Sequence, residues 1–254
     1  EWLDLDGQTF ALSTNCYPDA VHPSGYQLCT GFHTDPWPTW TFDCNGIIVQ
    51  REIFTIHGRD LVAIRWSLPG RQNRQVKLRV RPKLTGRNYH AAHHENGRLS
   101  TQASIETGTV TWQPYADLPP VRAFHSGDYR HAPEWYRHIE FPVERQRGLD
   151  HVEDWWSPGE FTIALGSGTP QALVLTSEHV EHVDLSALIK RELNRRAHLT
   201  QTAPATDTLV RALWRATDAY ISERGRRRTV LAGYPWFTDW GRDTFIALPG
   251  LCLV

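Results

Sequence analysis

No methionine occurs among the 254 residues, and no surplus of either charge: 27 basic and 28 acidic side chains leave a formal net charge of -1. Without a basic field there is nothing to draw in a polyanion, so no nucleic-acid partner is expected. Cysteine is sparse, at positions 16, 29, 44 and 252, and no Cys-x-x-Cys spacing is present. Neither a zinc knuckle nor a redox pair follows from that pattern, and a disulfide framework is not expected in a chain this long. No basic stretch followed by an apolar segment opens the sequence, and no apolar run reaches the roughly 18 residues of a membrane span. The expectation is a soluble, cytoplasmic protein with no membrane partner. The sequence starts at Glu1 and stops inside the apolar run from Phe245 to Val254, which has no polar stop signal. Such an end needs something to bury it, so both termini are expected to be cuts in a longer chain.

Tryptophan, by contrast, is abundant, with 11 residues. Its flat face and polar N–H suit stacking on sugar rings, although most of these rings are expected to pack the core. Up to about residue 185 the apolar spacing is that of strands. Val62, Ile64, Trp66 and Leu68 face one way while Ala63, Arg65 and Ser67 face the other, and Val76, Leu78 and Val80 alternate with Lys77, Arg79 and Arg81. Pro69 to Arg74 supplies turn chemistry, so the spacing predicts a hairpin between these two segments. Further strands are expected at 47–56, 100–113, 160–165 and 171–176, and the succession predicts an antiparallel sandwich. Residues 114–159 form a long, charged, aromatic stretch that reads as an irregular insertion.

Beyond residue 185 the period becomes helical. Asp184 or Ser186 can cap a helix through Arg196. Thr206 or Asp207 can cap a second, with Leu209, Val210, Leu213, Trp214, Thr217, Tyr220 and Ile221 on one face, ending at Gly225. The basic run Arg224 to Arg228 then reads as a solvated loop near a helix C-terminus.

The densest chemistry lies between Ala232 and Gly250, where Tyr234, Trp236, Phe237 and Trp240 stand beside Asp239, Arg242 and Asp243. Aromatics can stack on the apolar face of a sugar while Arg and Asp chelate neighbouring hydroxyls. A loop that packs its aromatics and pairs Arg242 with Asp243 or Asp239 has the same composition, and composition alone leaves both open. His90 and His94 would share a helical face and could take a metal, but no third ligand stands at a recognised spacing, so a structural or cleft-edge histidine group is the preferred reading. The stretch from Glu144 to Trp156 reads as a wall of a sugar cleft, as a polar docking interface or as a solvated loop.

The segment Ala232-Gly-Tyr-Pro-Trp-Phe-Thr-Asp-Trp-Gly-Arg-Asp243 resembles the signature of the bacterial and archaeal glycogen-debranching family, the amylo-α-1,6-glucosidases. Upstream segments agree in order, among them Leu12 to Pro18, Asp35 to Trp40, Asn88 to His90, His94 to Asn96 and Arg147 to Asp150. The resemblance implies a mainly β chain: an antiparallel, supersandwich-like β-sandwich over 1–185, a helical linker over 186–205, and over 206–254 the first helical hairpin of an (α/α) glycosidase barrel. It implies hydrolysis of α-1,6-linked glucose at branch points of glycogen or another branched α-glucan, with no cofactor and no metal. In related barrels a Trp-x-Arg-Asp motif grips the sugar being cleaved, which corresponds to Trp240, Arg242 and Asp243. Tyr234, Trp236 and Asp239 complete the candidate substrate-binding set.

An inverting glycosidase needs two carboxyl groups about 6.5–9.5 Å apart across the sugar. Asp239 and Asp243, if on one helical turn, would lie only about 5–6 Å apart on one face. By the family's pattern both catalytic carboxylates lie beyond Val254, so this chain alone is expected to be inactive. Two other readings remain open: a non-catalytic carbohydrate-binding sandwich, and another (α/α)-barrel enzyme of glucoamylase, trehalase or phosphorylase type. Nothing in the sequence specifies an oligomeric state.

Overall fold

Alternating apolar residues give each strand one face that gains by leaving water, and two such sheets satisfy each other. The computed structural model describes residues 1–70, 76–166, 168–234 and 237–252, which form two compact units, Glu1–Val183 and Asp184–Val254.

The first unit opens with β1 (Trp2–Leu5), β2 (Gln8–Ala11), β3 (Thr14–Tyr17) and β4 (Ala20–Ser24). After a 3-10 turn come β5 (Cys29–His33), β6 (Thr39–Cys44), β7 (Ile47–Thr55), β8 (Leu61–Ser67) and β9 (Val76–Val80). Next are β10 (Ala103–Glu106), β11 (Thr109–Trp112), β12 (Val121–His125) and β13 (Asp128–Glu140). A short helix α1 (Pro142–Gln146) precedes β14 (Val152–Leu165) and β15 (Gln171–Thr176). A five-stranded sheet runs in the order β13-β14-β9-β1-β2 and an eight-stranded sheet in the order β10-β11-β12-β15-β8-β7-β6-β5, with β3 and β4 forming a separate hairpin. Every pairing is antiparallel.

The core lies between the two sheets. Leu3, Leu78, Phe161 and Ile163 from the smaller sheet join one cluster with Phe42, Val49, Trp66, Trp112 and Leu173 from the larger. Trp66, Trp112 and Trp156 are fully buried. At about 25 cal/mol per Å² and roughly 150–250 Å² each, such a ring contributes about 4–6 kcal/mol of transfer free energy before the entropy of fixing it is counted. Among the described tryptophans only Trp240 is exposed, so packing accounts for most of this residue type.

Two expectations fail in this unit. The segments 61–67 and 76–80 do not form a hairpin: β8 lies between β7 and β15, whereas β9 lies between β1 and β14 in the other sheet. Alternation specifies which face is buried and not which strand sits alongside, so two consecutive strands in opposite sheets read like a hairpin. Of the turn expected between them, 71–75 lie outside the described residues.

Nor is 114–159 an irregular insertion, since most of it is β12, β13, α1 and the first half of β14. The β13–β14 ladder shifts register between His131 and Glu134 and again between Tyr136 and Ile139, and those bulges erase the two-residue period by which a strand is recognised. The stretch 100–113 is likewise two strands, β10 and β11, turning at Gly108, whose φ is 73°.

The second unit begins with α2 (Leu185–Gln201), whose N-cap Asp184 accepts a hydrogen bond from the Ala187 amide at 2.9 Å. In α3 (Thr208–Asp218) the cap is Asp207, which accepts from the Leu209 and Val210 amides at 2.9 and 3.1 Å. Arg195 ties the two helices together, bonding Glu192 on its own helix and Asp218 at the end of α3. The second helix therefore stops at Asp218 and not at Gly225. Ile221, expected on its apolar face, instead starts β16 (Ile221–Arg224), which turns at Gly225 (φ 63°) into β17 (Arg227–Gly233). The basic run is thus the turn of a β-hairpin, because a glycine with positive φ serves a tight hairpin as readily as a helix end. A short β18 (Phe237–Asp239) pairs with β17, and α4 (Gly241–Cys252) follows.

Candidate functional site

In the second unit, the candidate residues stand on the path from β17 through β18 into the first turn of α4. Trp236 lies outside the described residues. Tyr234 closes the hairpin: its hydroxyl donates to the Ala219 carbonyl at 2.7 Å, and its ring centre is 5.6 Å from that of Tyr220. Asp239 accepts from the Thr229 hydroxyl at 3.0 Å, which fixes the carboxylate to β17. The Trp240 carbonyl accepts from both the amide and the hydroxyl of Thr244 at 2.9 Å, so Trp240 marks the entry to α4.

Arg242 and Asp243 follow in the first turn. Their side chains approach to 3.9 Å, with 80% and 43% exposure. A pair so open to water is worth about 0–1 kcal/mol, so the ion pair alone is a weak reason for the arrangement. The structure brings Arg242 and Asp243 together and leaves Asp239 with Thr229, outside the helix. Asp239 and Asp243 therefore do not share a helical turn. Around them Tyr234, Phe237, Trp240, Phe245 and Ile246 are all more than half exposed. Apolar side chains interleaved with one guanidinium and two carboxylates can stack on a sugar face and bond its hydroxyls.

The first unit carries its own polar constellation. Glu153 on β14 is 2% exposed and accepts from Arg87 Nε at 2.6 Å and Nη2 at 3.0 Å, from Trp155 Nε1 at 2.6 Å and from the His93 amide at 3.2 Å. Burial alone raises a carboxyl pKa, but the hydrogen bonds from Arg87 and Trp155 and the Arg87 charge hold Glu153 below its ordinary value. Asp154 is also held low: its desolvation is outweighed by hydrogen bonds from the amides of Glu95 and His138, each 2.9 Å. His138 sits in a β13 bulge with a φ of 59°, so Asp154 fastens the irregular strand to the 93–95 segment.

His93 is buried, with Nδ1 2.9 Å from the Asp154 carbonyl and Nε2 2.7 Å from the Tyr115 hydroxyl. A carbonyl only accepts, so Nδ1 donates to it, and Nε2 is paired with the Tyr115 hydroxyl. Tyr115 in turn accepts from Asn96 Nδ2 at 2.9 Å. His93 is thus a structural histidine at the edge of a cleft. Among the described residues no group of three or more His, Cys, Asp or Glu is placed to hold a metal ion. Cys16, Cys29 and Cys44 are free thiols, and no described helix is long and apolar enough to cross a membrane.

Sequence reasoning missed that cleft, which Asn96, Arg98, Tyr115 and Asp117 line. Its lining residues are spread from Gly86 to Leu118 and share no periodic spacing, so no local signal could have found it.

A β-rich, carbohydrate-active protein is the class in which this sandwich and its aromatic, Arg/Asp-bearing tail belong. Residues 1–171 match the family model described as "Glycogen debranching enzyme N terminal", and residues 215–254 match the one described as "Amylo-alpha-1,6-glucosidase". The chain belongs to the glycogen debranching enzyme family. No curated protein matches it. Among solved structures, one titled "Putative kojibiose phosphorylase from human microbiome" aligns with 87% of this chain at 8% identity and a TM-score of 0.34. The chain spans 27% of that protein's length.

Proposed function

We propose that this chain is part of a glycoside hydrolase that removes α-1,6-linked glucose at branch points of glycogen or a similar α-glucan. The observation that carries the reading is the succession of the two family matches on one chain, the second of which contains Trp240, Arg242 and Asp243. On this reading 1–185 is the N-terminal sandwich, 186–205 a helical linker and 206–254 the opening of the (α/α) barrel. Tyr234, Trp236, Asp239, Trp240, Arg242 and Asp243 are its substrate-binding residues, with Arg242 and Asp243 bonding hydroxyls of the terminal glucose.

The general acid and base are placed in barrel sequence beyond Val254. A general acid has to hold its proton near neutral pH, which burial in apolar surroundings provides. The described carboxylates of the second match offer no such burial: Asp218 pairs with Arg195, Glu223 with Arg228, Asp239 is exposed, and Asp243 lies beside Arg242. The test is glucose release from a limit dextrin by the complete enzyme and by the 254-residue chain. Release by the former alone is expected. Turnover by the pure chain that Asp239→Asn abolishes would mean that the acid is misplaced, and a complete enzyme that binds glucan but releases nothing would favour a non-catalytic binding module.

A further inference from the structure

Two clefts adjoin on the first unit, of about 390 and 520 Å³, and Arg98 lines both. Each falls within the roughly 300–1,000 Å³ usual for small-ligand sites. The smaller is lined by Asn96, Arg98, Asp117 and the partly exposed Leu118. The larger runs past Gln102, Ser104 and Thr111, and Ser104 and Thr111 are cross-strand partners of the β10–β11 hairpin, on one face of it.

These walls are held in place before any ligand arrives. Gln113 Nε2 donates to the Leu118 carbonyl at 3.2 Å, which ties down the turn that carries Asp117. The Ser100 amide donates to the Pro114 carbonyl at 2.8 Å. Tyr115 is anchored by His93 and Asn96, and its ring lies against Gly86 so closely that a Cβ there would overlap it and would stand 2.9 Å from Leu118 Cδ1. The Arg98 guanidinium has no hydrogen bond or ion pair among the described residues. The fixed frame lowers the ordering cost of binding, and Arg98 leaves a donor fork uncommitted for a ligand.

The chemistry selects the ligand. Arg98 and Asp117 cancel in charge, which disfavours phosphates and cations. Of the other lining groups, Arg87 is committed to Glu153 and His93 to Tyr115, and Asn96, Gln102, Ser104 and Thr111 offer amides and hydroxyls that both donate and accept, as sugar hydroxyls do.

We propose that these adjoining clefts bind a linear run of α-linked glucose residues, making the sandwich unit a second glucan-holding surface apart from the Trp240 to Asp243 segment. This rests on the reading of the chain as part of an α-glucan enzyme. Arg98 and Asp117 grip hydroxyls of one residue over Leu118, and the β10–β11 face supports the residues that follow.

Binding of maltoheptaose to the 254-residue chain by calorimetry, and retardation by glycogen in a native gel, test the proposal. Both ligands should bind and cellohexaose should not. The double variant Arg98→Ala, Asp117→Ala should weaken maltoheptaose binding at least about tenfold, the loss of one or two hydrogen bonds. Ser104→Arg, an exposed change that fills the larger cleft without removing any hydrogen bond described for Ser104, should do the same in a chain of unaltered unfolding midpoint. No binding by the parent chain, equal binding of cellohexaose, or full affinity in both folded variants would overturn the proposal. Glucose release from a limit dextrin by the complete enzyme separates the two claims. If release is intact while the variants bind normally, the groove is wrong and the enzymatic reading stands; if release is absent, that reading fails whatever the binding data show.

Discussion

The Arg87 guanidinium closes a two-pronged hydrogen bond on the Glu153 carboxylate, 2.6 and 3.0 Å long, at a position where the carboxylate is 2% exposed. Removing one partner of such a pair leaves the other buried and uncompensated, which costs about 3–5 kcal/mol in fully buried cases. Arg87 keeps some contact with water, at 23% exposure, so Glu153→Gln is expected to cost about 3 kcal/mol. Urea unfolding of the chain measures it. A change below about 0.5 kcal/mol, the size of a surface substitution, would count against the pair as a structural element.

The same residues set an acid limit. Glu153 and Asp154 both have folded pKa values below their ordinary ones, so in acid the unfolded state binds protons first. Their contribution is complete above the unfolded values of about 4 and is lost as the pH falls through the lower folded ones. Unfolding free energy should therefore drop below about pH 4, and the drop should be shallower in Glu153→Gln. Identical pH slopes in the two proteins would contradict this.

Tyr115 offers a narrower test of the histidine network. Tyr115→Phe keeps the ring against Gly86 and removes only the hydroxyl, leaving the buried His93 Nε2 and the Asn96 amide without that partner. An unsatisfied buried polar group costs about 1–3 kcal/mol, and the unfolding midpoint in urea should fall accordingly. If the hydroxyl were incidental, the midpoint would not move.

Lys83 lies under the rings of Tyr136 and Trp155, 4.0 and 5.3 Å from their centres, and burial pushes its pKa down to about 8 despite the nearby Glu134. With a folded pKa below the unfolded one, the lysine opposes folding at neutral pH, and that penalty fades as the pH rises through about 8. Reductive methylation followed across pH should show Lys83 half-reactive near pH 8, about two pH units below an ordinary lysine. A midpoint above 10 would show that the rings hold the ammonium as well as water does.

Legibility in the sequence divided along a physical line. Where a signal was local it was readable: Asp184 and Asp207 cap helices, and Gln171–Thr176 is a strand with the expected bounds. Where it depended on partners it was not. β8 and β9 carry the same alternation as any hairpin, and only the packing of two sheets assigns them to different ones. Glu153 and Arg87 are 66 positions apart, a distance at which sequence pattern carries no pairing information. The aromatic and charged cluster around Trp240 was visible as composition, but the hold of Thr229 on Asp239 requires the β17–β18 pairing that brings them together.

That hold separates Asp239 from Asp243 and makes Asp243 the sharper test of substrate contact. Asp239 already has a partner in Thr229, so part of any loss in Asp239→Ala would reflect the hairpin. Among the described residues Asp243 has only the long, exposed approach to Arg242, which contributes little to stability. In the complete enzyme a charge-assisted bond from Asp243 to a glucose hydroxyl would contribute about 1.5–3 kcal/mol, and stranding its partner adds a desolvation cost of similar size. Asp243→Ala should then lower kcat/KM for limit dextrin at least about a hundredfold, each 1.36 kcal/mol being a factor of about ten, while the unfolding midpoint stays within surface-mutation range. Wild-type kcat/KM in a folded Asp243→Ala enzyme would remove the sugar-gripping role and leave the ion pair with Arg242 as the residue's only function.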